Sequence, residues 1–294
     1  MGEEVWTVKR VLEWTGGFFA RKSVDTPRLS AEILLGHVLG CARINLYTDY
    51  ERPLEAEQLA AFKALVQRAV EGEPIAYLVG KAHFFNLEIS VTRDVLIPRP
   101  DTETLVENAI QACRHTVGLE TPRILDLCTG SGCIAAAFAA NLKSATVLAT
   151  DISPAACEVA RANIERLGLA DRVVIACGDL WEPLSRLTDP RPLDLILSNP
   201  PYIPSGRIES LDRSVRDFEP RLALDGGADG LDIHRRILAD LPARLRPGGL
   251  AFLEIQFDQG EQVLALAGAV EGLEEPRVVR DFAGNDRVLK VRRA

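Results

Sequence analysis

Arg123-Ile124-Leu125-Asp126-Leu127-Cys128-Thr129-Gly130-Ser131-Gly132 is the stretch that decides the fold of this 294-residue chain. Arg123 to Leu127 reads as a strand, and glycines follow where that strand hands over to a helix running from Gly132 to Leu142. Glycines in such a turn let a ligand approach the backbone closely. Beyond it, strand-like and helix-like runs keep alternating: Thr146 to Thr150, Pro154 to Leu167, Val173 to Ala176, then Leu193 to Ser198. Leu231 to Leu245 follows as a helix, Leu250 to Ile255 as a strand, and two apolar runs lie near Val278 and Val288. This alternation predicts an α/β domain whose parallel sheet is covered on both faces.

The N-terminal side reads differently. Apolar residues recur there at helical spacing, as at Leu29 and Ile33 or at Leu59, Phe62, Leu65, Val66 and Ala69, and no strand pattern interrupts them. Thr26-Pro27 makes a helix entrance, and Gly40 and Gly72 are stops. Residues 1–80 are therefore expected to form a small all-helical domain. From His83 to Val95 the pattern alternates, with Phe85, Leu87, Ile89 and Val91 on one face, which predicts a strand or hairpin. Residues 81–98 are assigned to this hairpin joint and residues 99–294 to the α/β domain, whose first helix runs from Asp101 and Glu103 to about Thr116.

Composition narrows the function. The formal net charge of −8 argues against a surface built to neutralise phosphates, and favours a protein or small-molecule partner over nucleic acid. The six cysteines are scattered, without a Cys-x-x-Cys pair or clustered histidines, so no metal is expected. The acidic start Met1-Gly2-Glu3-Glu4 lacks signal-peptide character and no run of 18 apolar residues occurs, so a cytoplasmic protein without membrane association is expected.

The chemistry begins at the glycine loop. Asp151, which closes the next strand roughly 20 residues further on, is placed to accept hydrogen bonds from both hydroxyls of a ribose. The pair indicates an adenosine-containing cofactor. Gly130-Ser131-Gly132-Cys133-Ile134-Ala135 also satisfies the loose dinucleotide pattern, so a nicotinamide dehydrogenase remains open at this point. Asp126 favours the other choice: a carboxylate at the end of the first strand suits the ammonium of S-adenosylmethionine and opposes a pyrophosphate. After the third strand, Leu180 or Trp181 is expected to cover the adenine.

Asn199-Pro200-Pro201-Tyr202 follows the fourth strand. Asn199 offers a side-chain carbonyl, and Pro200, with no N–H and a fixed φ, offers a rigidly framed backbone carbonyl. Two such acceptors can hold both hydrogens of a planar –NH2 group and aim its nitrogen at an incoming methyl. Tyr202 is expected to lie flat against the planar substrate, with Pro201 beside it and Phe85 as a further roof. Arg99 and Glu219 are read as loop residues that pair with nearby charges rather than as pocket groups, and His83 and His234 are not read as catalytic bases.

Taken together these motifs resemble the class I S-adenosylmethionine-dependent methyltransferases, and more narrowly the family that methylates a glutamine of peptide chain release factors. The resemblance rests on Gly72 to Leu78, Phe84 to Leu87, Val95 to Glu103, Asp126 to Gly132, Asp151, Asn199 to Tyr202, Phe218 to Pro220, Asp229 to Asp232 and Gly284 to Arg287. It implies a Rossmann-like, mostly parallel sheet of seven strands. It also implies S-adenosyl-L-methionine as cofactor and S-adenosyl-L-homocysteine as product. The cofactor loop then falls on Asp126 and on Cys128, Thr129, Gly130, Ser131 and Gly132, the ribose acid on Asp151, and the substrate motif on Asn199 to Tyr202, with Asn199 also bordering the cofactor. Cys128 departs from the glycine that commonly opens this loop.

On that resemblance the acceptor is the glutamine of a release factor's Gly-Gly-Gln motif, with residues 1–80 as the docking domain, a monomer as the working state and no direct nucleic-acid contact required. Three other readings stand beside it: a ribosomal-protein glutamine as acceptor, adenine in DNA, and a non-catalytic module that binds a translation factor. Intact Asp126, Asp151 and Asn199 weigh against the last. Extracting a base from DNA would need a basic groove that the sequence does not offer.

Overall fold

The computed structural model describes residues 5–115, 120–186 and 191–294 and divides into two compact units. One comprises residues 1–81 and 212–218, the other residues 82–211 and 219–294. The acidic start at residues 1–4 and the expected helix end at Thr116 lie outside the described residues.

Five helices make up the N-terminal part of the first unit: α1 (Val8–Arg21), α2 (Pro27–Leu39), α3 (Arg43–Thr48), α4 (Ala56–Val70) and α5 (Ile75–Val79). Pro27 opens α2, where its missing N–H costs nothing, and Gly40 closes it at φ +62°. The face of α2 that enters the core carries Ala31, Leu34 and Leu35, whereas Leu29 stays exposed. Glu32 is also buried there, held charged by Arg28, Arg43 and Tyr47 around its carboxylate.

The second unit opens, from Ala82, in a hairpin whose strands are β1 (Lys81–Phe84, its first residue the last of the first unit) and β2 (Leu87–Ser90), joined by a two-residue turn at Phe85 and Asn86. Both turn residues have positive φ, the backbone twist that matches paired strands. This corrects the expected strand face. Phe84 is the aromatic that the core takes, while Phe85 sits in the turn and donates its N–H to Glu103 Oε1 at 2.8 Å.

After a 3-10 turn at Pro100–Thr102 come α6 (Glu103–His115), β3 (Arg123–Leu127), α7 (Cys133–Asn141), β4 (Thr146–Asp151), α8 (Pro154–Arg166), β5 (Val173–Cys177) and β6 (Leu193–Ser198). The short α9 (Arg213–Arg216) belongs to the first unit. The chain ends with α10 (Asp232–Arg244), β7 (Leu245–Glu254), α11 (Gly260–Gly268), β8 (Leu273–Arg280) and β9 (Asp286–Arg293). β7 starts earlier than the apolar pattern predicts, because Gly248 and Gly249 interrupt that pattern and are absorbed as an irregularity in its pairing with β6.

The seven-stranded sheet has the order β5-β4-β3-β6-β7-β9-β8. β9 pairs antiparallel with both β7 and β8, and every pair from β5 to β7 is parallel. β3 is therefore the strand from which the chain builds outward first one way, to β4, and later the other, to β6. The crevice beyond the C-terminal ends of β3 and β6 is the switch point at which open α/β sheets bind ligands. Beside it α7 is buried from Cys133 to Ala139, an apolar helix enclosed on every side.

Candidate active site

A cavity of about 280 Å³ opens at that switch point. Its floor is the loop after β3, with Cys128, Thr129, Gly130 and Ser131 in its wall. Asp151 and Ile152 at the end of β4, Leu180 after β5, and Asn199 and Pro201 after β6 complete the side made by strand ends. Val95, Leu96 and Pro98 from the strap before α6 and Pro220 and Leu222 close it from the other direction.

The loop has its shape because three residues adopt left-handed backbone: Cys128 at φ +58°, Gly130 at +55° and Gly132 at +78°. Cys128 thus takes up a glycine's conformation without being glycine. A Cβ on Gly132 would meet Cβ of Ala160 in α8 at 3.2 Å, so this glycine lets the helix pack. A Cβ on Gly130 would meet nothing within 4 Å, leaving room on the cavity side for a ligand to approach the backbone.

Asp151 organises the loop from the adjacent strand. It accepts the Gly130 N–H at Oδ2 and the Ser153 N–H at Oδ1, both at 2.9 Å. Each oxygen keeps a further lone pair for a ribose hydroxyl. Burial raises its pKa, and the backbone donors at Ser153 and Gly130 act in the opposite direction.

Asp126 is not on the cavity wall as expected but beneath the loop, fully buried in β3. Its Oδ2 accepts from the Thr129 hydroxyl at 2.5 Å, while Oδ1 has no hydrogen-bond partner. Burial pushes this carboxyl up to about 7. A buried carboxylate oxygen with nothing to accept from is suited to a cation, and the ammonium of an amino acid fits that chemistry. The thiols of Cys128 and Cys133 are each pushed up to about 12 by burial, which keeps them protonated and unsuited to nucleophilic attack.

Of the two candidates after β5, Leu180 lines the cavity and Trp181 does not. Leu180 takes φ +44°, and Trp181 is buried in the core with the Arg244 guanidinium 5.7 Å from its ring centroid. Asp179 also lines the cavity and is held by Arg236 of α10 at 2.6 Å.

The Asn-Pro-Pro-Tyr segment leaves the end of β6 with Asn199 facing the cavity. Asn199 Nδ2 donates to Thr102 Oγ1 at 3.2 Å. Pro200 is buried behind it, and among the described residues its carbonyl accepts no hydrogen bond. Tyr202 does not line the cavity; its hydroxyl donates to Glu254 Oε1 at 3.3 Å, which ties down the ring expected to lie on the substrate. Phe85 is likewise absent from the wall. Arg99 pairs with Glu219, whose other oxygen receives the Ile97 N–H at 3.4 Å, so this ion pair holds the strap in place.

Several contributors carried no assigned role in the sequence. A Cβ on Gly226 would come within 2.7 Å of the Pro201 carbonyl, and one on Gly230 would strike the Tyr202 carbonyl, so two glycines permit close packing behind the motif. Gln259 Nε2 donates to that same Tyr202 carbonyl at 3.0 Å. Glu254, closing an apolar strand as Asp126 does, carries the signal that identified Asp126.

Comparison with known proteins follows this division of the chain. Over 290 residues the chain is 43% identical to a release factor glutamine methyltransferase of Rhodopirellula baltica, covering 98% of this chain and 97% of that one. The chain belongs to the release factor glutamine methyltransferase family. A second member, from Geobacter sulfurreducens, is 43% identical over 286 residues, with 97% and 96% of the two chains covered. Residues 10–80 match the PrmC N-terminal domain, and residues 102–213 match the methyltransferase small domain. Among solved structures, the protein-(glutamine-N5) methyltransferase (release factor-specific) of Alicyclobacillus acidocaldarius is 34% identical, covering 69% of this chain and 98% of that one, with a TM-score of 0.43. The hMettl16 catalytic domain shares the fold at 19% identity and a TM-score of 0.55, covering 71% of this chain and 76% of that one.

Proposed function

We propose that this member of the release factor glutamine methyltransferase family is an enzyme that transfers the methyl group of S-adenosyl-L-methionine to the side-chain amide nitrogen of a glutamine in a peptide chain release factor. The observation that carries this reading is Asn199 at the end of β6, facing one cavity together with the Cys128–Ser131 loop and Asp151. The residues present fit the cofactor. In this reading Asp151 takes the ribose, Leu180 the adenine face and the Gly130 backbone a close approach, while the charge of Asp126, buried beneath the loop, favours the ammonium above it.

When bound, S-adenosyl-L-methionine supplies a methyl group on a positively charged sulfur that departs as a neutral thioether, leaving S-adenosyl-L-homocysteine. A glutamine amide nitrogen is a poor nucleophile because its lone pair is shared with the carbonyl. Asn199 Oδ1 and the Pro200 carbonyl accept its two hydrogens and fix the direction in which the nitrogen faces. The nitrogen becomes acidic only as it gains its new bond, so the same two acceptors stabilise charge that develops in the transition state, and one of its two protons is then released to water to leave the neutral N-methyl amide. Orientation of this kind contributes up to roughly 7–11 kcal/mol. Among the described residues the Pro200 carbonyl accepts no hydrogen bond, which leaves it available for this role.

Residues 1–80 are proposed as the docking domain for the release factor. The match of residues 10–80 to the PrmC N-terminal domain supports that assignment. The test is Asn199→Ala assayed on a release factor. Turnover should fall about 100-fold or more, the range for removing one transition-state acceptor, while S-adenosyl-L-homocysteine affinity changes little. Near-normal turnover on the glutamine would overturn the assigned role.

A further inference from the structure

We propose that Gln259, directly before α11, is a positioning residue for the reaction: its side-chain amide clamps the Asn-Pro-Pro-Tyr segment from behind and so fixes where the Asn199 and Pro200 acceptors stand. This rests on the role proposed for those two acceptors and adds a residue that lies outside the cavity wall.

The two acceptors sit on a short bridge between anchors. On one side Ser198 ends β6, paired with Leu127 of β3 and Leu253 of β7, and its hydroxyl donates to the Leu127 carbonyl at 2.8 Å. On the other side the Ile203 N–H donates to the Leu224 carbonyl at 3.0 Å, and the Ile203 carbonyl accepts the Gly226 N–H at 2.9 Å. Only Asn199, Pro200, Pro201 and Tyr202 lie between, and a ring fixes φ in both prolines. With so few torsions left, the hold on Tyr202 passes to the Pro200 carbonyl two residues back.

Tyr202 is gripped at both ends. Its hydroxyl donates to Glu254 Oε1 at 3.3 Å, and its carbonyl accepts from Gln259 Nε2 at 3.0 Å. The same Nε2 reaches the Gly230 carbonyl at 3.4 Å, while Gln259 Oε1 accepts the Gln256 N–H at 3.0 Å. All three partners of this buried amide are main-chain groups: two carbonyls that only accept and one N–H that only donates. A single orientation of the amide satisfies them all, and no carboxylate or apolar side chain can.

The clamp is itself well seated. The Gln259 N–H donates to the Gln256 carbonyl and its carbonyl accepts the Val263 N–H, both at 3.0 Å, and Val263 is fully buried in the core beneath α11. The approach to Gly230 also requires glycine there, since a Cβ at that position would come within 2.8 Å of Gln259 Nε2.

The experiment compares Gln259→Met, which keeps length without hydrogen bonds, with Gln259→Glu, which keeps shape and the acceptor but loses the donor. With a release factor as acceptor, both should lower kcat about 100-fold, the cost attached to a misplacement of roughly 1 Å. S-adenosyl-L-homocysteine affinity should stay within about threefold, and the fall in kcat should exceed any rise in acceptor KM. On the Asn199→Ala background, Gln259→Met should cost less than about tenfold more, because the clamp acts through a segment already disabled. Wild-type kcat in either variant, a loss confined to KM, a collapse of cofactor affinity alongside kcat, or fully multiplicative losses in the double variant would each overturn the clamp.

A second measurement needs no acceptor. In Gln259→Met, amide exchange followed by mass spectrometry should quicken at least about tenfold in peptides covering Ile203 and Gly226, while peptides from β3 and β4 stay unchanged. Unchanged exchange at Ile203 and Gly226 would also overturn the clamp. If wild type itself leaves a release factor unmethylated, the proposed acceptor falls, and the exchange measurement still decides the role of Gln259.

Discussion

Asp126 carries opposing demands at the scale of a single residue. Its carboxyl is fully buried and raised to about 7, so the fold favours the protonated form between the unfolded carboxyl value and that pH. Its neutral form therefore supports stability below the unfolded pKa, and this support is lost as pH rises through about 7. Asp126→Asn, isosteric and uncharged, should raise the melting temperature of the ligand-free protein at pH 8, with an advantage that shrinks toward pH 4. The same variant should bind S-adenosyl-L-homocysteine at least about tenfold more weakly, since a charge partner for the ammonium is lost. Thermal melts across pH and calorimetric titration check both halves; unchanged affinity would remove the ammonium role from Asp126.

At the scale of elements, the glycine loop separates packing from binding. Gly132→Ala combines left-handed backbone, a cost of about 1–2 kcal/mol, with a clash against Ala160 of α8, and should show as a lower melting temperature. Gly130→Ala carries the same backbone cost without a clash, but puts its methyl where a ligand would approach. It should destabilise less than Gly132→Ala and lose more ligand affinity, a crossing pattern that melts and titration together reveal. Disruption of the strap is a further case: Glu219→Gln removes the charge that holds Arg99, and should raise KM more than it lowers melting temperature.

The same scale explains what the sequence made legible. β3, β4, β5 and β6 stand within a residue or so of their apolar runs, because strands buried on both faces leave little freedom in residue type. Sequence does not separate Leu180 from Trp181, since the left-handed backbone at Leu180 has no signature in a leucine. The alternation puts Phe85 on the strand face because it looks continuous, whereas a two-residue turn interrupts it there. Thr102 joins Asn199 across 97 residues and Gln259 joins Tyr202 across 57, and local spacing carries no information about such contacts.

For the whole molecule, ligand binding and folding are linked. Saturating S-adenosyl-L-homocysteine at about 100 times its Kd should stabilise the protein by about 2.7 kcal/mol, read as a rise in melting temperature. A nicotinamide dinucleotide should give no such shift; if it did, the dinucleotide reading of Gly130 to Ala135 would return. No helix among the described residues is long and apolar enough to cross a membrane.

The central claim is that a planar amide on a protein, in a release factor, receives the methyl group. It is tested most directly by incubating the protein with labelled S-adenosyl-L-methionine and, in parallel, a release factor, a ribosomal protein and duplex DNA, then locating the label by mass spectrometry. Label on the Gly-Gly-Gln glutamine of the release factor, abolished by Asn199→Ala, is the predicted result; label on DNA alone, or on the ribosomal protein in preference, would contradict it.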